Sequence, residues 1–339
     1  MKNDFAKYLS DFLLHYLPSE RNASQNTIRT YRDTFRIFLK YCETVKGLKV
    51  DKIRVSDMKR ILILDFLDWL ETSQNNSVNS RNNRLAALHS FFRYIQGQTP
   101  DYIFEISQIL AIRNKKAPKK EVDYLTADEL KVVFSSIPIT TARGRRDLLI
   151  LLLLYDTAAR VQELVDICFT DVHFGDNTII TLHGKGSKVR SVPIPTKTAK
   201  HLEKYMKESK RNARISTSIQ PLFINSKGEK LSHWGITYIL KKYIDMAKKS
   251  EQVKIDFPVT PHIFRHTKAM HLLQANINLI YIRDFLGHSD IQSTEIYARA
   301  DNRMKIAAIK GAYIELSPEE LPDWNENKGL MEWLEEFGK

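Results

Sequence analysis

Between Ser24 and Cys42 the apolar residues Ile28, Tyr31, Phe35, Phe38, Leu39 and Cys42 recur every three or four positions, while Arg29, Arg32, Arg36 and Lys40 take other faces. That period predicts an amphipathic helix with a basic outer side, opened by Ser24 as its N-cap. A second helix is expected from Ser56, carrying Leu62, Phe66, Leu67 and Leu70 inward. A third, within Ser80 to Ile95, buries Leu85, Leu88, Phe92 and Ile95 and leaves Arg81, Arg84 and Arg93 available for phosphates. The polar, proline-interrupted stretch from Arg113 to Lys120 then reads as an extended linker.

Beyond it, Thr126 with Glu129 three residues later forms a capping-box pattern. The next helix carries the apolar run Leu148 to Tyr155 and leads into Ala158-Ala159-Arg160-Val161-Gln162-Glu163. Residues 178–182 and 189–194 read as short strands around the glycine-rich turn Gly184-Lys185-Gly186-Ser187-Lys188, with Lys185 at or near its tip. From Ser232 a helix with Trp234, Ile236, Ile239 and Leu240 follows. Thr260 can cap another, with Pro261 at its first position, so that His262, Arg265 and His266 fall in its first two turns. His262 and Arg265, three apart, share a face.

Composition narrows the partners. The chain has 339 residues and a formal net charge of +12, with 43% hydrophobic residues. That length suggests two domains with a core each. An excess of positive charge this large favours a polyanion, because each phosphate neutralised by Lys or Arg releases condensed counterions. The run Leu148 to Tyr155 is far shorter than the roughly 20 residues of a membrane span, so no membrane partner is expected. Two cysteines, Cys42 and Cys168, make no disulfide framework, and Met1 to Asp4 lead into a segment without a signal-peptide core. The expected setting is the reducing cytoplasm.

The chemistry gathers between Thr260 and Tyr297. A phenol, several imidazoles and a guanidinium lie in one short span, with Arg160 and Lys185 upstream. Arginine always carries its charge and presents a planar fork of donors, so two of them beside histidines suit the non-bridging oxygens of a phosphodiester. Taken singly each residue has a plain reading: Tyr297 as a half-buried tyrosine, Lys185 as a solvated turn lysine, Glu163 as an ion-pair partner, His262 and His266 as a satisfied pair on one helix. The combination is what carries information.

Arg160 in Ala-Arg-Val-Gln-Glu-Leu, Lys185 in Gly-Lys-Gly-Ser-Lys, His262 and Arg265 in His-Ile-Phe-Arg-His, His288 in Leu-Gly-His-Ser, and Tyr297 together resemble the catalytic set of the tyrosine site-specific recombinases. The likeness runs over nearly the whole chain, the N-terminal helices resembling the core-binding domain of Xer-type and mobile-element integrases. It implies a fold that is mainly α with a small antiparallel β-sheet, an α+β catalytic domain following a helical DNA-binding one. The expected divisions are 1–112 for the core-binding domain, 113–122 for the linker, 123–310 for the catalytic domain, and 311–339 for a tail docking on a neighbouring subunit. Two positions depart from the family pattern: Ala158 stands where glycine is usual, and Asn276 does too, although asparagine tolerates a left-handed helix end.

The resemblance also implies the chemistry. Tyr297 attacks a DNA phosphate to leave a 3′-phosphotyrosyl bond, Arg160 and Arg265 hold the non-bridging oxygens, and Lys185 protonates the leaving 5′-oxygen. His262 assists proton transfer at Tyr297, His288 bonds the phosphate, and Glu163 orients the basic cluster. Arg29, Arg32, Arg36, Arg81, Arg84, Lys188 and Arg190 are expected on DNA. No cofactor and no metal are needed, and the partners are double-stranded DNA and further copies of the chain, a dimer per site and a tetramer in the synapse. Integration or excision of a mobile element is the leading role. Alternatives are a Xer-type multimer resolvase, a type IB topoisomerase, a catalytically idle DNA-binding protein, and a metal-dependent hydrolase built on His262, His266 and His288.

Overall fold

A computed structural model describes residues 4–117, 122–184, 188–212, 220–250, 252–288, 294, 297, 329, 334, 335 and 337. The chain forms two compact units, Met1–Lys120 and Glu121–Lys339.

The first unit is helical: α1 Asp4–Asp11 running into a π-helical stretch Phe12–Glu20, then α2 Gln25–Thr44, α3 Arg60–Thr72, α4 Val78–Gln98 and α5 Ile103–Leu110. Ser24 caps α2 as its sequence predicts, its hydroxyl accepting from the Thr27 N–H. The second helix starts later than expected. Residues 55–57 make a 3₁₀ turn instead, fixed by the Asp57 carboxylate on the Arg54 N–H and by Val55 and Met58, both buried, and α3 begins at Arg60. The core is aromatic: Phe12 lies among Tyr16, Tyr31, Phe35, Phe91 and Tyr94 at centroid separations of 5.3 to 6.4 Å. Such pairs add about 0.5–1.5 kcal/mol each beyond their buried area.

Arg81 corrects the sequence reading. It is 4% exposed, with Nε 3.4 Å from a Glu71 carboxylate oxygen and Nη1 donating to Asn82 and to the Arg113 carbonyl. It therefore ties the fold together and is not presented to a phosphate. Lys115 joins the same knot through Glu71 and Asn82, so this part of the stretch read as linker is bonded to α4. Arg29, Arg32 and Arg36 are exposed on α2, with Arg32 and Arg36 beside Asp33. Arg84 is half-buried, and desolvation lowers its pKa.

The second unit packs α6 Ala127–Ser135, α7 Ala142–Asp156, α8 Val161–Asp166, α9 Thr196–Asn212, α10 His233–Lys249, α11 Pro261–Gln274 and α12 Leu279–Leu286 around a three-stranded antiparallel sheet. The sheet is ordered β1 Val172–His173, β2 Ile179–His183, β3 Val189–Pro193, with Ile180 opposite Val192 and Leu182 opposite Arg190. Thr126 and Glu129 close their capping box, and the apolar run on α7 is the spine of the core, with Leu149 to Leu151, Leu153 and Leu154 each at most 1% exposed. Ala159 and Leu164 belong to this core, so the turn carrying Arg160 is anchored on both sides. A smaller apolar cluster joins Ala158, Ala269, Met270, Leu273, Ile282, Leu286 and Tyr297. Asn276 takes the left-handed conformation expected of it, with φ +60°. Neither cysteine is in a disulfide, and among the described residues no helix is long and apolar enough to cross a membrane.

Candidate active site

The α7–α8 turn exists because Ala158 adopts φ +46°, in the left-handed region, which turns the chain and delivers Arg160 to the N-cap of α8. Alanine there costs roughly 1–2 kcal/mol relative to a relaxed backbone. Glu163 then reaches back: Oε2 accepts the Arg160 N–H at 2.8 Å and Oε1 accepts Arg160 Nη1 at 2.7 Å. From β3, Arg190 Nη2 donates to Oε2 at 2.7 Å, while its Nε donates to the Phe285 carbonyl at 3.1 Å. Burial alone would raise the Glu163 carboxyl. The hydrogen bonds from Arg190 and Arg160 outweigh it and bring its pKa to about 2. Glu163, 4% exposed, is thus the carboxylate that holds two guanidiniums side by side.

Two glycines let the groups close up. A Cβ on Gly184 would stand 3.2 Å from Glu163 Oε1, and one on Gly287 would stand 3.1 Å from the Arg190 side chain. Gly287 also ends α12 with φ +65°, which places His288 beyond it. Arg160, Arg190, Lys188, Gly184, Gly287 and His288 line one cavity of about 470 Å3. His288 Nδ1 is 3.0 Å from the hydroxyl of the buried Thr294, and its pKa falls to about 4 through desolvation and through Arg265 and Arg160. It is neutral at pH 7, and a neutral imidazole still donates from one ring nitrogen.

Thr260 caps α11 and Pro261 stands at its first position, as the sequence implies. Arg265 is 3% exposed. Its Nη1 donates to the Ala158 carbonyl at 2.6 Å and its Nη2 to the Leu286 carbonyl. Desolvation, with Arg160 and Arg190 nearby, lowers its pKa to about 10. His262 is exposed at the helix start, yet desolvation and the charges of Arg265 and Arg160 hold it below the ordinary histidine range.

Tyr297 is fully buried, and desolvation raises its phenol to about 12 against the pull of Arg265. Its hydroxyl lies 2.8 Å from Nδ1 of His266, one turn along from His262. The imidazole bonded to the phenol here is that of His266, whereas His262 is the residue expected to assist proton transfer at Tyr297.

Arg190, expected on DNA, joins the carboxylate-centred cluster and lines its cavity, its side chain 13% exposed. Lys188 is exposed on the cavity wall. The expected acid Lys185 lies outside the described residues. Thr294 is not singled out by the sequence, and His266 is read there only as a helix partner of His262 or a candidate metal ligand, not as a partner of Tyr297. Among the described residues no group of three or more His, Cys, Asp or Glu could hold a metal ion.

The comparisons with known proteins agree on one family. The sequence model of the phage integrase family matches residues 123–304, and that of the phage integrase N-terminal SAM-like domain matches residues 11–98. The chain is 36% identical over 304 residues to y4rC of Sinorhizobium fredii, described as an integrase/recombinase, covering 90% of each. It is 33% identical over 290 residues to the tyrosine recombinase XerD of Listeria monocytogenes, covering 85% of this chain and 92% of that one. Among solved structures, the XerH site-specific recombinase bound to its difH substrate superposes with TM-score 0.66 at 24% identity, covering 87% and 82% of the two chains. The Tn1549 transposon integrase with transposon right end DNA gives 0.68 at 17% identity, covering 88% and 98%.

Proposed function

The chain belongs to the phage integrase family of tyrosine recombinases and is a DNA strand-transferring enzyme, and from that premise we propose that it integrates and excises a mobile element through a 3′-phosphotyrosyl intermediate on Tyr297. The observation that carries the site assignment is the convergence of Arg160, Arg190 and His288 on one cavity, ordered by the buried Glu163 carboxylate.

In this reading the Tyr297 oxygen forms a bond to phosphorus as the bond to the 5′-oxygen breaks, its phenol proton leaving with the assistance of His262. The covalent link conserves the phosphodiester energy, so no nucleotide is consumed. Arg160 and Arg265 take the non-bridging oxygens, His288 adds a neutral donor, and Lys185 protonates the departing 5′-oxygen. Losing one such preorganised donor typically costs about 10²–10³ in rate. Arg265 exchanges its carbonyl partners at Ala158 and Leu286 for phosphate as the complex forms. Arg29, Arg32, Arg36, Arg84 and Lys188 contribute positive charge along the duplex.

The chain acts on double-stranded DNA as a dimer at each site and a tetramer in the synapse, in the cytoplasm. The likeness to XerD supports a second reading, resolution of chromosome or plasmid multimers. Both readings meet one test. Wild-type and Tyr297→Phe protein are incubated with nicked suicide duplexes, one carrying the ends of a host element and one a resolution site, with chelator present. A denaturant-resistant complex formed only by wild type, and only on element ends, is the expected result. Complex on the resolution site selects the second reading, and none on either duplex despite tight binding removes the nucleophile assignment.

A further inference from the structure

We propose that His266 is the positioning residue of the Tyr297 nucleophile, its Nδ1 accepting the hydrogen bond of the phenol and aiming the oxygen that will attack. The inference rests on the assignment of Tyr297 made above. It adds a residue that the charged cluster does not contain.

The geometry is specific. The ring centroids are 5.6 Å apart at 58°, and the Nδ1 to hydroxyl separation is 2.8 Å. A phenol is the stronger acid and an unprotonated imidazole nitrogen the better acceptor, so the phenol donates. That arrangement requires a neutral ring. Burial, His262 and Arg265 each favour the neutral form.

Tyr297 packs against Ala158, Ala269, Met270, Leu273, Ile282 and Leu286, among which the Met270 thioether is only a weak acceptor. Among the described residues His266 is the side-chain partner of this buried hydroxyl, and a buried unsatisfied group costs about 1–3 kcal/mol. The backbone supplies the aim. His266 follows Arg265 directly on α11, so the residue that touches the Ala158 and Leu286 carbonyls and the residue that touches the phenol move as one rigid piece.

The test uses the full chain and the suicide duplex on which wild type forms its covalent complex. His266→Phe keeps the ring shape and removes the acceptor; His266→Asn places an amide oxygen where Nδ1 stands. Single-turnover cleavage at saturating DNA is expected to fall about tenfold to a hundredfold in His266→Phe, with DNA affinity unchanged, and to recover most of the loss in His266→Asn. Thermal melting of both variants separates loss of fold from loss of aim. Cleavage by His266→Phe at or above the wild-type rate overturns the inference, as does equal loss in both folded variants, which leaves only packing. If wild type itself forms no complex, the assignment of Tyr297 fails first and takes this inference with it.

Discussion

The arginine cluster and the phenol lie in one unit and are built by opposite means. Around Glu163 the polarity is dense: one carboxylate, 4% exposed, bonds Arg160 and Arg190, and these two line a cavity. Around Tyr297 the described side chains are mostly apolar, with the His266 imidazole at the hydroxyl and the Arg265 charge close enough to act on the phenol. The first half stands assembled before any ligand arrives, because one carboxylate offsets part of the repulsion between two guanidiniums and leaves the cluster net positive. The second keeps its phenol protonated and enclosed. A strand-transfer site can thus be electrostatically ready and chemically idle together.

Removing the organising carboxylate should break this contrast most. Glu163→Gln leaves two guanidiniums facing a neutral amide, and breaking a buried pair costs about 3 kcal/mol or more. Denaturant unfolding should show it, whereas Tyr297→Phe, losing one hydroxyl, should cost about 1 kcal/mol. Equal losses would mean the halves are built alike.

Acid sharpens the contrast next. The folded Glu163 carboxyl titrates near 2 and an unfolded one near its ordinary 4.5, so its contribution is complete above 4.5 and drains away as pH falls towards 2. His288 titrates near 4 against an ordinary 6.5, so the unfolded chain binds the proton first, and stability drops as pH falls from 6.5 to 4. Melting curves should therefore lose stability in two windows. Glu163→Gln should flatten the lower one, and His288→Gln part of the upper.

Gly287→Ala is expected to cost about 1–2 kcal/mol, since φ +65° is left-handed and the new methyl would stand 3.1 Å from the Arg190 side chain. Calorimetry measures the cost, and wild-type stability in this variant would show that the cluster tolerates displacement. Ala158→Gly should change least. Relief of about 1 kcal/mol of left-handed strain is offset by loss of a fully buried methyl worth about 0.8 kcal/mol. A melting shift above about 5 °C in either direction would show that one of those two contributions is misjudged.

Much of this was legible in the chain. Caps at Ser24, Thr126, Ser232 and Thr260 lie where their residue types put them, because capping is local chemistry. The misreadings are instructive. Arg81 occupies the spacing of Leu85, Leu88, Phe92 and Ile95, so periodicity already placed it on the inner face; its charge drew it outward in the reading, and Glu71 is what lets it stay inside. Arg190 shares strand parity with the buried Val192, which likewise turned it inward. Helix α9 and the two-residue β1 were not foreseen: the first is strongly polar, with few apolar positions to mark its period, and the second is too short to show alternation. The bond between His266 and Tyr297 spans 31 residues and depends on how α11 packs, which no local pattern encodes.

Arg265 bears on which inactive form of the protein is usable as a tool. Its guanidinium fastens α11 to the Ala158 turn and to the end of α12, so replacing it with a neutral residue orphans two carbonyls and loosens three segments. A decoy meant to occupy DNA without cutting it should keep that arginine and carry its lesion at Tyr297, where only one hydroxyl is lost and the scaffold that grips the duplex is left whole.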